Sequence, residues 1–170
     1  VRISHQNHAA MLARVLEDQA TRTMQTAELA LESLATSPAL TAVASEPRRM
    51  QDALGQAMAA LSFLRGLAVV DASGRVIAST LPGEAESFVD LAKLGPLVAS
   101  GRTVQGGLTP GRSLQSVRLG GTAVPAPPGV AFLPLMHGYK NDAGQALVLV
   151  ALVNPDSLSN FQHLTLESEI

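Results

Sequence analysis

The chain of 170 residues has no cysteine, no tryptophan and a single tyrosine. The absence of thiols removes any cysteine nucleophile and fits an oxidising compartment, where a stray thiol is a liability, without requiring one. Charge is sparse as well, at 15% of residues with a net charge of −2 and no Lys/Arg cluster beyond Arg48-Arg49. That leaves no cationic surface for a phosphate backbone, and nucleic acid is excluded as the main partner. No run approaches the roughly 18 apolar residues of a membrane-spanning helix, and residues 146–153 fall far short. With 46% apolar residues the chain has enough for one domain with a substantial core, or one domain plus a long helix, but not two full domains. It begins at Val1 and stops in mid-pattern at Ile170, and so reads as a segment of a longer protein.

Glycine and proline are missing from residues 5–36, where Leu12, Leu16, Ala20, Met24, Ala27, Leu31 and Leu34 recur three and four apart. This is one helical stripe, with Arg14, Asp18 and Arg22 on another face. A helix of about 30 residues is roughly 45 Å long, so part of it should project beyond a small domain. Ser37-Pro38 ends it and can start the next helix, Ser as cap and Pro at the first helical position. A further helix is expected over 47–63, with Met50, Leu54, Ala57, Met58 and Leu61 on one side and Gly55 as a weak spot.

Residues 67–70 and 75–80 are two runs with β-branched residues, separated by Asp71-Ala72-Ser73-Gly74. Asp at the first turn position can accept a backbone N–H two residues on, and Gly at the last supplies positive φ, so 64–80 is a β-hairpin. After Leu81-Pro82-Gly83, Ser87 can cap a helix running to about residue 100, kinked at Gly95-Pro96, with Gly101 as its stop. A short strand is expected over 103–108, then a long Gly/Pro-rich excursion, then strands over 130–138 and 145–153. Asn141 and Gly144 repeat the spacing of Asp71 and Gly74 between those two strands. Pro155-Asp156 opens a last helix, 157–166.

The hairpin at 64–80, Phe-Leu-Pro-Leu at 132–135, the turn at 141–144 and the Pro-Asp-x-Leu helix start at 155–158 together resemble the Cache sensor domains, the PAS-like extracytoplasmic ligand sensors of bacterial receptors. The resemblance spans nearly the whole chain. It implies an α+β fold, a five-stranded antiparallel sheet flanked by helices with a long N-terminal helix. The division would be a signalling or dimerisation helix over 1–36, a sensor domain over 37–154 and a helix leading out over 155–170. By the same resemblance the ligand lies between the sheet and the loops crossing it, lined here by Gln105, Arg112, Met136, His137 and Tyr139. With no Trp and one Tyr, the aromatic pocket of the amino-acid-binding branch is not present as such.

Other chemistries find little support. Residues 106–113 are spaced like a phosphate loop with Arg112 in the lysine position, but 114–128 is rich in Gly and Pro and unlike the helix such a loop must open. His5 and His8 could share a helix face, yet no Cys or carboxylate stands at ligand spacing, so they read as solvated, as do His137 and His163, and no metal or other cofactor is expected. No Gly-x-Ser-x-Gly and no Ser/His/Asp arrangement points to catalysis. The expected function is therefore an extracytoplasmic, periplasmic sensor domain of an inner-membrane receptor, whose histidine kinase, diguanylate cyclase or chemoreceptor output lies elsewhere. The partners expected are a small organic anion such as a carboxylate, held by the Arg112 fork, and a second copy paired in parallel through the N-terminal stripe. The membrane would be met only through flanking segments. The alternatives are a cytosolic PAS- or GAF-like regulatory module, or a dimerisation module without a small ligand.

Overall fold

A computed structural model of the chain describes residues 2–42, 46–81, 83–120 and 127–158. Helix α1 (Arg2–Ala35) runs 34 residues, about 51 Å at 1.5 Å per residue. Of the stripe, Leu16, Ala27 and Leu31 are buried, joined by Ala35, whereas no described side chain before Leu16 is buried, so the N-terminal part does project. Pro38–Thr41 forms the one-turn α2, with Pro at its start, and α3 (Pro47–Ala60) follows, burying Met50 and Leu54. Gly55 is tolerated within α3, on a side open to solvent.

The strands are β1 (Leu64–Asp71), β2 (Val76–Ser79), β3 (Phe88–Val89), β4 (Thr103–Gln105), β5 (Thr109–Pro110), β6 (Arg118–Leu119), β7 (Ala131–Lys140) and β8 (Ala146–Val153). Five of them form the antiparallel path β2-β1-β8-β7-β4, with β5 added to one end of β7 and β3 paired separately with β6. This is the expected α+β architecture. Strands β1 and β8 are near-continuous apolar runs because both faces of the sheet are covered. On one face α1, α2 and α3 bring Ala27, Leu31, Leu40, Met50 and Leu54 against Leu67, Val69, Leu135, Leu149 and Ala151. On the other, Ala68, Val70, Met136, Val150 and Leu152 meet Val89, Leu94, Leu114 and Val117 from the connecting segments.

Both turns form as their residues dictate. Asp71 Oδ1 accepts from the amides of Ser73 (2.9 Å) and Arg75 (3.1 Å), while its carbonyl accepts from Gly74 N at 3.0 Å. Asn141 does the same with Ala143, Gln145 and Gly144. Gly74 and Gly144 have φ of 91° and 78°.

The segment after the hairpin departs from expectation. Ser87 caps no helix; its hydroxyl donates to the Glu84 carbonyl, and Phe88–Val89 pairs with β6. Asp90 is the cap, accepting from Ala92 N, of the four-residue α4 (Leu91–Leu94). Gly95-Pro96 stops it after one turn, because proline offers no N–H and disfavours helical backbone in the residue before it. The strand expected over 103–108 ends at Gln105, before Gly106-Gly107, and the excursion after it holds β5, a 3₁₀ turn (Leu114–Val117) and β6. Helix α3 stops at Ala60, short of 63, and most of the helix expected over 157–166 lies outside the described residues.

The two turns permit a direct comparison. A Cβ on Gly144 meets nothing, so Gly144→Ala pays only for left-handed backbone, about 1 kcal/mol. A Cβ on Gly74 would fall well inside contact distance of the Val89 carbonyl oxygen, so Gly74→Ala should cost about 3 kcal/mol. Gly83, with φ of 79° and Gln115 Nε2 at 3.4 Å, belongs with Gly144, so Gly83→Ala should cost about as much as Gly144→Ala. Urea unfolding of the three variants should rank Gly74→Ala clearly last.

Candidate functional site

The face of the sheet away from α1, α2 and α3 is covered by short connecting segments containing many Gly and Pro, which offer few side chains to fill space and approach by backbone. Residues 91–101 cross it as a strap. At one end Leu94 is buried and its carbonyl lies against Gly106, where a Cβ could not fit; at the other, Gly101 N donates to the Gly138 carbonyl at 2.7 Å and Gly138 N to the Arg102 carbonyl at 3.0 Å. A Cβ on Gly138 would stand 2.5 Å from the Ala99 carbonyl oxygen, so glycine is required for this approach. Beneath the strap lies a cavity of about 340 Å³. Its walls are Leu91, Ala92 and residues 95–98 and 100 of the strap, Met136 of β7, Ala72 of the first turn and residues 146–148 of β8. Ser100 is the one polar side chain among them.

Beside the cavity-bearing face is a buried carboxylate. Glu84 receives Ser79 Oγ on one oxygen (2.9 Å) and Leu114 N on the other (3.0 Å), joining β2 to the start of the 3₁₀ turn. No cation pairs with it among the described residues, and burial pushes its pKa up, the two hydrogen bonds acting the other way. The amide that opens the 3₁₀ turn is thus taken by the protein's own Glu84.

The five residues expected to line a ligand site do not converge. Met136 faces the strap and lines the cavity. His137 and Tyr139 alternate with it onto the helical face, where His137 Nδ1 lies 2.8 Å from Thr103 Oγ1 and Tyr139 donates to the Leu40 carbonyl at 3.2 Å. Burial lowers the pKa of His137, opposed by Glu32 of α1, and raises that of Tyr139. Gln105 pairs with Leu135 at the exposed sheet edge, and Arg112 is exposed on its loop. The period-two alternation of a strand separates what sequence proximity placed together. The cavity walls from 91–100 are not legible in the sequence, because that segment reads as a helix. Glu84 carried no signal, since nothing in sequence marks a lone carboxylate for burial. Among the described residues no three His, Cys, Asp or Glu side chains gather as metal ligands, and no helix is long and apolar enough to cross a membrane.

No protein-family profile matches the chain, and no curated protein does. Among solved structures, the extracellular domain of the putative histidine kinase rpHK1S-Z16 is similar, with a TM-score of 0.63 at 17% identity over 90% of this chain. The chain spans 58% of that structure's length. The likeness shows a shared fold, a mixed arrangement of helices and antiparallel sheet.

Glu84 yields a pH prediction. Its pKa is higher folded than unfolded, so the native state holds the proton more tightly, and the stability this contributes is lost as pH rises from about 4.5 through the folded value. Glu84→Gln keeps an acceptor for Leu114 N and a donor for Ser79 Oγ, matching the protonated acid. Urea midpoints measured from pH 4 upward should show wild type losing stability relative to Glu84→Gln; parallel curves would contradict the assignment.

Proposed function

We propose that the chain is the extracytoplasmic sensor domain of a bacterial signal-transduction receptor, of the histidine kinase, diguanylate cyclase or chemoreceptor kind, Cache-like in type and with no catalysis of its own. The observation carrying this reading is the placement of a cavity on one face of a PAS-like sheet and a long, partly projecting helix on the other. Similarity of fold to an extracellular histidine kinase domain supports it. In this reading 37–154 senses, α1 brings the chain in, and 155–170 leads out. The ligand is a small molecule in the cavity under the strap, and Arg112, which is exposed away from that cavity, holds no part of it.

Position relative to the membrane is directly testable, because the 170 residues contain no cysteine and any cysteine elsewhere in the parent can be replaced or controlled for with the unsubstituted parent. In the intact parent protein, Ala143→Cys at the exposed turn should react with a membrane-impermeant maleimide in whole cells. Reaction only after lysis would instead place the domain in the cytosol as a regulatory module.

Pairing through α1 cannot use the full stripe, since Ala27 and Leu31 are spent on the domain core. Among the described residues of α1, the most exposed large apolar side chains are Met11 and Leu29, at 66% and 67%, with Val15 near Met11; Leu29 stands 18 positions, about five turns, beyond Met11 and so on the same side. If two copies pair there in parallel, Met11→Glu with Leu29→Glu should shift the sedimentation equilibrium toward monomer by an order of magnitude or more in dissociation constant, without changing the melting temperature of the monomer.

A further inference from the structure

We propose that the cavity takes a small, uncharged and mainly apolar molecule of about ten to fifteen non-hydrogen atoms, rather than an organic anion; this rests on reading the chain as a sensor. The size follows from volume. A cavity of about 150 Å³ with apolar walls accommodates benzene, and this one, at about 340 Å³, is roughly twice as large. The class follows from what the walls offer. Leu91, Pro96, Val98, Met136 and Val148 are apolar, and Ser100 adds one hydroxyl that can donate or accept a single hydrogen bond.

An anion would lose its hydration with no cationic side chain in return, only the Ser100 hydroxyl among the lining side chains. Lys93, Arg102 and Arg112 are exposed and none of them lines the cavity. The nearby amides of Gly95, Gly101 and Gly138 are already committed, to the carbonyls of Leu91, Gly138 and Arg102. An uncompensated carboxylate in such surroundings is strongly disfavoured, whereas an apolar molecule gains from leaving water.

Two further features fit an apolar occupant. Met136 forms part of the floor, its methyl carbon so close to Gly95 that a Cβ there would stand 2.9 Å away, and an unbranched thioether can reshape itself around ligands of different outline. Leu97, at the wall of the cavity on the strap, is 97% exposed, a large apolar side chain that the protein itself leaves uncovered. A ligand in the cavity gives Leu97 a surface to cover.

The test uses matched probes: 1-naphthol and indole, both neutral at pH 7, against 1-naphthoate and indole-3-carboxylate. Thermal shift and calorimetry on the chain should show the neutral member of each pair bound at least about tenfold more tightly than its anion. Leu97→Asp, at a position too exposed to affect folding, should weaken naphthol binding severalfold while leaving the ligand-free melting temperature unchanged. Ala146→Trp, also at an exposed wall position, should block the site by filling it. Tighter binding of the anions, lost in the same two variants, would overturn the ligand class and leave the sensor reading standing. No binding by any probe, or binding unaffected by both variants, would overturn the proposal. A dimer that Leu97→Asp dissociates, with no naphthol binding, would overturn it in favour of a second copy as the occupant. In each of these cases the maleimide reaction of Ala143→Cys reports separately on whether the domain faces the outside.

Discussion

The structure depends on a sheet whose central strands are apolar on both faces. Side chains alternate along β1, so Leu67 and Val69 face the helices while Ala68 and Val70 face away, and all four are buried. Each large apolar side chain removed from water contributes about 1.5–3 kcal/mol, so neither face can be left uncovered. The two faces are covered by different means. On one, helices present regular side-chain surfaces, and α1 is held there by Ala27 and Leu31. On the other the cover is a set of short connections, and the cavity lies where a glycine- and proline-containing strap crosses without side chains to fill the space beneath it.

A cover made of loops must also satisfy its own backbone. Glu84 does this from within, its two carboxylate oxygens accepting from β2 and from the first amide of the 3₁₀ turn while its carbonyl accepts from Ser87. The start of β1 is tied by Arg65, whose guanidinium donates to the Ala131 carbonyl (2.7 Å) and Asn154 Oδ1 (3.1 Å) with Asp156 at 3.9 Å. One side chain thereby joins β1, the start of β7 and the segment leaving β8. The exposed pair with Asp156 adds little by itself; the two hydrogen bonds define the geometry.

Strand β7 serves both sides at once. Met136 borders the cavity, and its neighbours Leu135 and His137 face the helical side, where Tyr139 reaches the carbonyl of Leu40 in α2. The cavity and the helices are therefore separated by one layer of sheet, close-packed against the helices, and packed interiors transmit strain. On the proposed sensor reading, this puts the ligand site one layer of sheet away from the long helix.

What was legible in the sequence was whatever depends on neighbours in the chain. The unbroken 3.6-residue stripe predicts α1, Ser37-Pro38 its end, and the Asx-x-x-Gly turns at Asp71 and Asn141 the hairpins they close, because those hydrogen bonds run between residues two to four apart. From these came the order of elements and the sheet. What only the tertiary structure decided was where the two faces lie and what covers each. Residues 91–101 have a helix-like apolar pattern, yet most of them lie as a strap because Gly106 and Gly138, distant in sequence, let backbone approach backbone. His137 and Tyr139 are turned from the cavity by strand alternation that sequence shows but cannot orient, since the inward direction is set by helices packed from elsewhere. Burial of Glu84 depends on Leu114, 30 residues away, arriving with a free amide, and no local signal encodes a contact that exists only once the chain has closed on itself.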